Sequence, residues 1–406
     1  MESTGVPSPV LMENAGRSAA LVLSRIYPEG RVLVFAGPGN NGGDGLVLAR
    51  TLAASGRDVD VIEVGVRGSR DALLHGWALE RRVLPESDSE LAAAVGRGGV
   101  VVDALLGTGA RNAPRDPFPR AIRAINAAGA PTVALDLPSG VDADTGRVPG
   151  DAVMADLTVA FGAPKLGTLL YPARELAGRI VAVEIGLPPL DGTRARARLV
   201  TPGWAHDRRP RRPPVTHKKA EGRLLALAGS PGVAGAAVLA ARGALRAGAG
   251  YVRVASHPDN REVVQRSAPE AIFVDVTDRE ALARAAADSD VLAAGPGMGT
   301  DDDAATRLSH MLTSGPFAAV LLDADALTLL GAGTLPALSS HMPCLLTPHA
   351  GEMARLGADL EEVRSDPLAA CAREARRRGA AVLLKGRPSV VCDCAEGSPL
   401  WVSGSG

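Results

Sequence analysis

Short runs of β-branched and other apolar residues recur along the chain, and stretches of helical length separate them. In the first half they predict strands over residues 31–37, 58–64, 99–105, 131–137, 157–161 and 179–186. A helix is predicted over residues 42–55. Strands that alternate with helices indicate a parallel sheet covered on both faces. Ligand-binding loops are therefore expected at the carboxyl ends of the strands.

A second series of the same kind follows an arginine- and proline-rich segment, residues 191–216, which we interpret as a connection between domains. Its predicted strands cover residues 223–229, 251–256, 271–276, 291–297, 319–323, 344–348, 381–386 and 389–394. The chain is therefore predicted to hold two α/β domains, residues 1–194 and 195–406.

The composition excludes several classes of protein. Lys and Arg number 44 against 45 Asp and Glu, which argues against a nucleic-acid partner because such proteins neutralise phosphates with excess positive charge. The uncharged stretch from Leu224 to Ala241 is interrupted by Gly229-Ser230-Pro231-Gly232, so we expect a strand, a loop and a helix rather than a membrane span. Since the N-terminus also lacks the pattern of a signal peptide, a cytoplasmic location is expected.

The segment Gly37-Pro38-Gly39-Asn40-Asn41-Gly42-Gly43-Asp44 carries the first candidate chemistry. Its Gly37-x-Gly39-x-x-Gly42 spacing, between a strand and a helix, has the form of a dinucleotide fingerprint. Asn40, Asn41 and Asp44 add amides and a carboxylate, which a dehydrogenase loop would not need. These groups suit a cation, a ribose or a carboxamide. Turn and helix-capping chemistry is the alternative.

Three more polar segments follow strands of the first half. Asp103 precedes the glycine-rich Gly107-Thr108-Gly109, Asp136 precedes Ser139, and Lys165 follows a fourth strand. In a doubly wound sheet such loops converge on one crevice. The alternatives are that the two aspartates cap helices and that Lys165 is a solvated surface residue.

Five motifs in order resemble NAD(P)H-hydrate epimerase over residues 10–190: LMENAG, GNNGGDG, DALLGTG, DLPSGVDADTG and TVAFGAPKLG. The resemblance implies a Rossmann-like fold and a substrate that is water-damaged NADH or NADPH (NADHX or NADPHX). Water has added to C6 of its nicotinamide ring, and the family interconverts the R and S epimers at that carbon.

The resemblance also implies roles for individual residues. Asn40, Asn41, Gly42, Gly43 and Asp44 would contact the hydrate, as would the loop Gly107, Thr108, Gly109, Ala110, Arg111, Asn112 and Ala113. K⁺ would bind Asn41, Asp103 and Ser139. Asp136 would contact the nicotinamide end of the hydrate, and a carboxylate there is a plausible general base. Whether Asp136 or Lys165 moves the proton stays open.

Polar residues also follow strands of the second half. They include the loop Gly295–Gly299, the pair Asp323 and Asp325, and the turn from Thr347 to Glu352. Small residues from Gly235 to Gly250 permit close packing or the approach of a ligand. Lys385 and Arg387 suit a nucleotide phosphate. For His349 and Glu352 the alternatives are a core histidine and an acid favoured by the helix dipole.

This second set resembles ADP-dependent NAD(P)H-hydrate dehydratase, a ribokinase-like α/β fold, from about residue 197 onward. The resemblance implies that ADP and Mg²⁺ serve to dehydrate the S epimer back to NAD(P)H. The hydrate would contact Ala237, Gly297 and His349. The nucleotide would contact Lys385, Gly386, Arg387, Pro388 and Ser389. The family continues with a G-[ST]-G-D segment that the printed sequence lacks, so a truncated and inactive second half is expected.

Three functions are therefore compared. The first is a two-domain enzyme of cofactor repair, expected as a homo-oligomer whose partners are the hydrate and ADP. The second is a ribokinase-like kinase of a sugar or vitamin. The third is a non-catalytic nucleotide-binding module.

Overall fold

The computed structural model describes residues 5–65, 80–96, 99–188, 195–210, 221–338 and 342–404. The chain divides into two compact units, Met1–Ala195 and Arg196–Gly406. Each unit has a sheet of its own. Residues 191–194 and 211–216 of the arginine- and proline-rich segment lie outside the described residues.

The first unit has a fully parallel sheet in the order β3-β2-β1-β4-β5-β6-β7. Its strands are β1 (Val32–Ala36), β2 (Val59–Glu63), β3 (Glu80–Val83), β4 (Val100–Ala104), β5 (Thr132–Leu135), β6 (Leu157–Phe161) and β7 (Arg179–Val183). Strand β1 lies between β2 and β4, so the strand order reverses there. This architecture confirms the predicted parallel α/β sheet.

Helices cover both faces of this sheet. They are α1 (Ser8–Ile26), α2 (Asn40–Ala54), α3 (Asp88–Val95) and α4 (Phe118–Asn126). Alternate residues of β1 enter different hydrophobic clusters: Val32 and Val34 pack with residues of α1 and α2, and Leu33 and Phe35 with residues of α3 and α4. The apolar run of β1 thus serves two cores, which is why it shows no polar alternation.

The second unit has a ten-stranded sheet in the order β11-β10-β9-β12-β13-β14-β15-β16-β17-β8. Its strands are β8 (Arg198–Val200), β9 (Arg223–Leu227), β10 (Tyr251–Ser256), β11 (Ile272–Asp275), β12 (Val291–Ala294), β13 (Ala319–Leu322), β14 (Cys344–Leu346), β15 (Ala381–Leu384), β16 (Ser389–Cys392) and β17 (Trp401–Ser403). Strands β9 to β15 pair in parallel, whereas β16 pairs antiparallel with both β15 and β17.

Helices of the second unit connect these strands. They are α5 (Pro202–Arg208), α6 (Ala234–Ala247), α7 (Arg261–Ser267), α8 (Arg279–Ala287), α9 (Asp302–Ser314), α10 (Ala324–Gly331), α11 (Ala350–Arg355), α12 (Leu360–Ser365) and α13 (Pro367–Arg378). Asp301 caps α9 by accepting a hydrogen bond from Ala304 N at 2.7 Å, and Asp278 caps α8 in the same way. Among the described residues no helix is long and apolar enough to span a membrane.

Every strand predicted from an apolar run is present. Strands β3, β8 and β17 are additional, and each has only three or four residues. Helix α2 begins at Asn40, two residues before the predicted start. The two asparagines therefore lie in the first turn of the helix, not in the loop ahead of it.

Candidate active sites

A cavity of about 590 Å³ opens where the strand order of the first sheet reverses. The loops after β1 and β4 form its floor, because these neighbouring strands send their connections to opposite faces of the sheet. Its lining residues are Ser8, Leu11, Met12, Ala15, Pro38, Gly39, Asn40, Asn41, Asp44, Leu105, Leu106, Gly107, Thr108, Gly109, Ala110, Asp136, Phe161, Lys165, Ile185 and Leu187. The volume is within the usual range for small-molecule sites.

Glycines allow the backbone to fold tightly beneath this cavity. A Cβ on Gly42 would lie 1.9 Å from the carbonyl oxygen of Gly37, and a Cβ on Gly37 would lie 1.9 Å from that of Leu105. Real Cβ atoms do not approach backbone oxygens so closely. The fingerprint glycines therefore bring α2 and the loops after β1 and β4 together.

Asp136 follows β5 and forms an ion pair with Lys165 inside the cavity. Its carboxylate also accepts a hydrogen bond from Phe161 N at 3.2 Å, and Lys165 Nζ donates to the carbonyl oxygen of Phe161 at 3.0 Å. The Lys165 side chain is only 19% exposed, so it is not a solvated surface lysine. Asp136 has φ +69°, an uncommon backbone conformation for a residue other than glycine. Such strain is concentrated at functional sites.

Asp44 lies in the first turns of α2 and lines the same cavity. Among the described residues its carboxyl group has no side-chain hydrogen bond or ion pair. Burial and the negative charge of Asp136 raise its pKa to about 8, although Lys165 opposes this rise. The cavity therefore holds one protonated carboxyl group beside an ion-paired carboxylate at neutral pH.

Asn41 and Ser139 bond to the backbone of Leu106, and Asp103 bonds to Ser139. Ser139 Oγ donates to Asp103 Oδ1 at 2.6 Å, and Leu106 N donates to Ser139 Oγ at 2.9 Å. Asn41 Nδ2 donates to the carbonyl oxygen of Leu106 at 2.9 Å. Asp103 is the last residue but one of β4 and caps no helix, because its oxygens accept from Ser139 and from Leu105 N.

Two features of this cluster suit the binding of a cation. Asn41 Oδ1 is buried and has no hydrogen-bond partner in the part of the chain that the structure describes. The Asp103 carboxyl group is fully buried, and among the described residues it forms no ion pair. Burial raises its pKa to about 6, against the lowering effect of the Ser139 hydrogen bonds. A dehydrated cation among these oxygens would satisfy the amide and neutralise the carboxylate.

Not all the predicted hydrate contacts line the cavity. Gly42 and Gly43 are buried beneath it. In the second loop Gly107 to Ala110 line the cavity, whereas Arg111, Asn112 and Ala113 are exposed outside it. Arg111 instead forms an exposed ion pair with Asp144 at 3.2 Å.

Sequence reasoning missed the apolar wall of the cavity, which comes from α1, Phe161 and the residues after β7. The LMENAG motif holds this wall in place. Glu13 pairs with Arg50 of α2 at 2.5 Å, and Asn14 Nδ2 donates to the carbonyl oxygen of Ile185 at 2.9 Å. Met12 lies over Gly43, where a Cβ would meet Met12 Cε at 2.5 Å.

In the second unit the predicted site residues follow adjacent parallel strands, in the sheet order β9, β12, β13, β14 and β15. Lys385 Nζ lies 2.7 Å from Asp323 Oδ1 and 3.4 Å from Glu352 Oε2. The backbone carries the same set together, since Lys385 N donates to the carbonyl oxygen of Pro348 at 2.8 Å. The loop from Lys385 to Ser389 connects β15 to β16 at this edge.

Gly297 lies in the loop after β12, with φ +59°. Its carbonyl oxygen accepts from Ser230 N at 2.5 Å, so the loops after β9 and β12 are bonded together. Ala237 of α6 is fully buried in a hydrophobic cluster with Ala226 and Val254. Its side chain therefore packs in the core, and a contact with the hydrate stays a prediction.

His349 and Glu352 form a capping box at the start of α11. His349 Nδ1 accepts from Gly351 N at 3.0 Å, and His349 N donates to Glu352 Oε2 at 2.8 Å. The imidazole is not a core residue, because it is 52% exposed, whereas Glu352 is buried. His349 thus presents its ring at the edge where Lys385 lies.

Two family models match the chain. The model of YjeF-related protein N-terminus matches residues 8–167, and that of NAD(P)H-hydrate dehydratase matches residues 224–404. The second match covers most of the second unit. It gives no support to the expectation that this half is inactive.

Characterised relatives match over most of the chain. A bifunctional NAD(P)H-hydrate repair enzyme from Moorella thermoacetica is 39% identical over 95% of this chain and 78% of its own length. The enzyme of the same name from Escherichia coli is 36% identical over 94% of this chain and 73% of its own length.

Among solved structures, an ADP/ATP-dependent NAD(P)H-hydrate dehydratase from Bacillus subtilis, co-crystallised with ATP and Mg²⁺, is 27% identical. It covers 52% of this chain and 73% of its own, with a TM-score of 0.46. A ribokinase-like superfamily protein from Enterococcus faecalis is 23% identical over 51% of this chain and 71% of its own, also with a TM-score of 0.46.

Proposed function

The chain belongs to the family of bifunctional NAD(P)H-hydrate repair enzymes, and on that premise we propose how its two units divide the work. Unit 1 epimerises R and S NAD(P)H hydrate, and unit 2 dehydrates the S epimer with ADP. The cavity at the strand reversal of the first sheet carries the first assignment, because it places Asp44, Asp136 and Lys165 on one ligand-sized space. The same family membership assigns the dehydratase step to unit 2.

Inversion at C6 requires one bond of this carbon to break and to form again from the other face. The C6 hydroxyl leaves as water when an acid gives it a proton, and the ring nitrogen stabilises the cation that remains. Water then returns to the opposite face, and a base takes its proton. The step is balanced, because one proton is given and one is taken back.

Asp44 and Asp136 suit these two roles. Asp44 carries a proton at neutral pH, so it acts as the acid that faces the C6 hydroxyl. Asp136 forms an ion pair with Lys165 and accepts a hydrogen bond from Phe161 N, so it is placed to act as the base. Lys165 then fixes the charge and position of Asp136 and does not itself move the proton. The apolar wall from α1 limits the access of water to the reacting carbon.

The cluster of Asn41, Asp103 and Ser139 suits K⁺. The unsatisfied Asn41 Oδ1 and the unpaired, buried Asp103 support this assignment. A K⁺ ion held by these three residues would supply the positive charge that balances Asp103 and would keep the loops after β1, β4 and β5 in register. Asn41 also lines the cavity, so the order of this cluster determines where the hydrate lies.

In unit 2 ADP binds the loop from Lys385 to Ser389, and the hydrate lies beside Gly297 and His349. Mg²⁺ would be bound together with the nucleotide phosphates. Among the described residues no group of three or more His, Cys, Asp or Glu could hold a metal.

Incubation of the full chain with a mixture of R and S NADH hydrate tests the proposal. Chromatography should show the epimers reaching equilibrium faster than they do spontaneously. Calorimetry should show that ADP binds in the presence of Mg²⁺. A non-catalytic module would leave the epimer ratio at its spontaneous drift. A sugar or vitamin kinase would consume nucleotide only when such a hydroxyl compound is present.

A further inference from the structure

The turn after β13 carries two carboxylates that the proposed function leaves without a role. Asp323 and Asp325 lie on either side of Ala324, at the start of α10. Strand β13 is the middle one of the five whose ends form the candidate dehydratase site. The turn therefore lies between the loop of the predicted hydrate contact Gly297 and the strand that carries the predicted nucleotide contact Lys385.

Asp323 bonds to Lys385. It occupies the N-cap position of α10, yet its side chain accepts no capping hydrogen bond. Asp323 Oδ1 instead lies 2.7 Å from Lys385 Nζ. Lys385 is also 3.4 Å from the buried Glu352. Two carboxylates thus hold one ammonium group at a fixed place, although the lysine side chain is long and flexible.

Asp325 bonds in the opposite direction along the sheet. Its Oδ2 accepts a hydrogen bond from Gly299 N at 3.0 Å. Gly299 has φ +88° and ends the loop Gly295–Gly299. The other side of this loop is bonded to Ser230 N through the carbonyl oxygen of Gly297. Asp325 therefore fixes the free end of the loop that carries Gly297.

The backbone of the turn is rigid between these two contacts. A Cβ on Gly295 would lie 1.7 Å from the carbonyl oxygen of Asp323, so the loop and the turn are in close contact. Ala324 has φ +48°, which is unfavourable for an alanine. Asp323 N also donates to the carbonyl oxygen of Ala294 at 3.0 Å. Such a conformation persists only where the surroundings determine it.

We propose that Asp323 and Asp325 are positioning residues of the dehydratase site, Asp323 for the nucleotide through Lys385 and Asp325 for the hydrate through the loop Gly295–Gly299. This inference rests on the function proposed for unit 2. Neither carboxylate needs to touch a ligand. If the two aspartates only stabilised the fold, replacing either one would weaken the binding of both ligands. In the proposed arrangement each replacement weakens the binding of one ligand.

Calorimetric titration of the full chain with ADP·Mg²⁺ and with S NADH hydrate tests the assignment. Because unit 1 also binds the hydrate, the hydrate data are fitted to two sites and the Kd of unit 2 is compared. Asp323→Ala should raise the Kd for ADP about tenfold or more, because Lys385 loses its closest partner, and should leave the Kd for the hydrate within about twofold. Asp325→Ala should raise the Kd for the hydrate about tenfold or more and leave the Kd for ADP within about twofold. Asp325→Asn should restore hydrate binding, since its amide oxygen still accepts from Gly299 N. Asp323→Asn should fall between Asp323→Ala and the unmodified chain.

Asp302→Ala is the matched control, because Asp302 is an exposed aspartate in the first turn of α9. It should change neither Kd. Parallel losses for both ligands in Asp323→Ala and Asp325→Ala, or no loss in either, would overturn the inference. An unmodified chain that binds no ADP·Mg²⁺ and binds the hydrate at one site only would overturn the function proposed for unit 2, and the inference would fall with it.

Discussion

At the scale of single residues, substitutions of Asp136 and Lys165 test the proposed catalysis most directly. Asp136→Asn removes the base but keeps the shape of the side chain, and Lys165→Met removes the charge that holds it. We expect the epimerisation rate to fall about 100-fold or more in Asp136→Asn, a usual loss for a general base. In Lys165→Met the rate should also fall, because Asp136 loses the ion pair that fixes its position in the cavity.

The epimer ratio of NADH hydrate, followed by chromatography, measures both effects. Arg123→Ala is the control, since Arg123 lies in an exposed ion pair with Asp151. It should leave the rate unchanged. If Asp136→Asn kept the rate of the unmodified chain, Asp136 would have no part in the proton transfer.

The raised pKa of Asp44 predicts how the epimerisation rate depends on pH. Its pKa is raised to about 8, so the acid form predominates below that pH and disappears above it. Asp136 and Lys165 are the charged groups that face it, the first raising the pKa and the second lowering it. The epimerisation rate should therefore decline above pH 8. Asp44→Asn, which cannot lose a proton, should be slow at every pH and lack this decline.

A pH–rate profile of the full chain and of Asp44→Asn distinguishes the cases. The spontaneous epimerisation rate is subtracted at each pH. An unmodified chain whose rate rises steadily through pH 8 would remove Asp44 as the acid.

The cation site predicts a response to salt that does not depend on activity. K⁺ should raise the Tm of the full chain over that in a large organic cation at the same ionic strength, because an ion bound only by the folded state stabilises it. Asn41→Leu removes the unsatisfied oxygen and should abolish this difference. Asn126→Leu serves as the control, since Asn126 binds the carbonyl oxygen of Ala152 away from the cluster. Equal shifts in all three proteins would argue against a site at Asn41.

At the scale of elements, the sequence predicted the strands that consist of continuous apolar runs. Strands buried on both faces, such as β1 and β4, are visible because all five residues of each are buried. The edge strands β3 and β8 were missed because they are short and contain arginine, so no run marks them. The early start of α2 was missed because asparagine and glycine are poor helix formers, and here the helix end is fixed by contacts with Gly37.

In the candidate sites, too, some features could be predicted from the sequence and others could not. Convergence of Asn41, Asp103 and Ser139 could be predicted, since carboxyl ends of neighbouring parallel strands meet. The role of Asp44 as a proton donor could not, because it depends on the distance to Asp136 and on burial. Likewise Asp323 and Asp325 bond to different partners, Lys385 and Gly299, because their side chains leave one turn in different directions. Sequence spacing gives residue positions but not side-chain directions.

The close approach of α2 to the loop after β1 predicts a contrast between two glycines. Gly42→Ala would place a Cβ 1.9 Å from the carbonyl oxygen of Gly37, so it should lower the free energy of unfolding by about 3 kcal/mol. Gly39→Ala has no atom within 4 Å of the new Cβ and should change the free energy by less than about 0.5 kcal/mol. Urea unfolding of both variants, followed by circular dichroism, measures the difference. Equal losses would mean that the backbone relaxes around Gly42.

At the scale of the whole molecule, each proposed site belongs to one unit. Every residue that lines the first cavity lies in Met1–Ala195, and the five strands of the second site lie in Arg196–Gly406. A family that combines two activities in one chain can therefore change one site without rebuilding the other.

Independence of the two sites is the last prediction. Asp136→Asn should abolish epimerisation and leave the Kd for ADP·Mg²⁺ within about twofold, whereas Asp323→Ala should weaken ADP and leave the epimerisation rate unchanged. In the double variant the epimerisation rate should equal that of Asp136→Asn and the Kd for ADP should equal that of Asp323→Ala, as expected for residues without shared partners. Calorimetry and chromatography on the same four proteins provide the measurement. A change of tenfold or more in ADP affinity on Asp136→Asn would show that the units share a site, and the division of work between them would have to be abandoned.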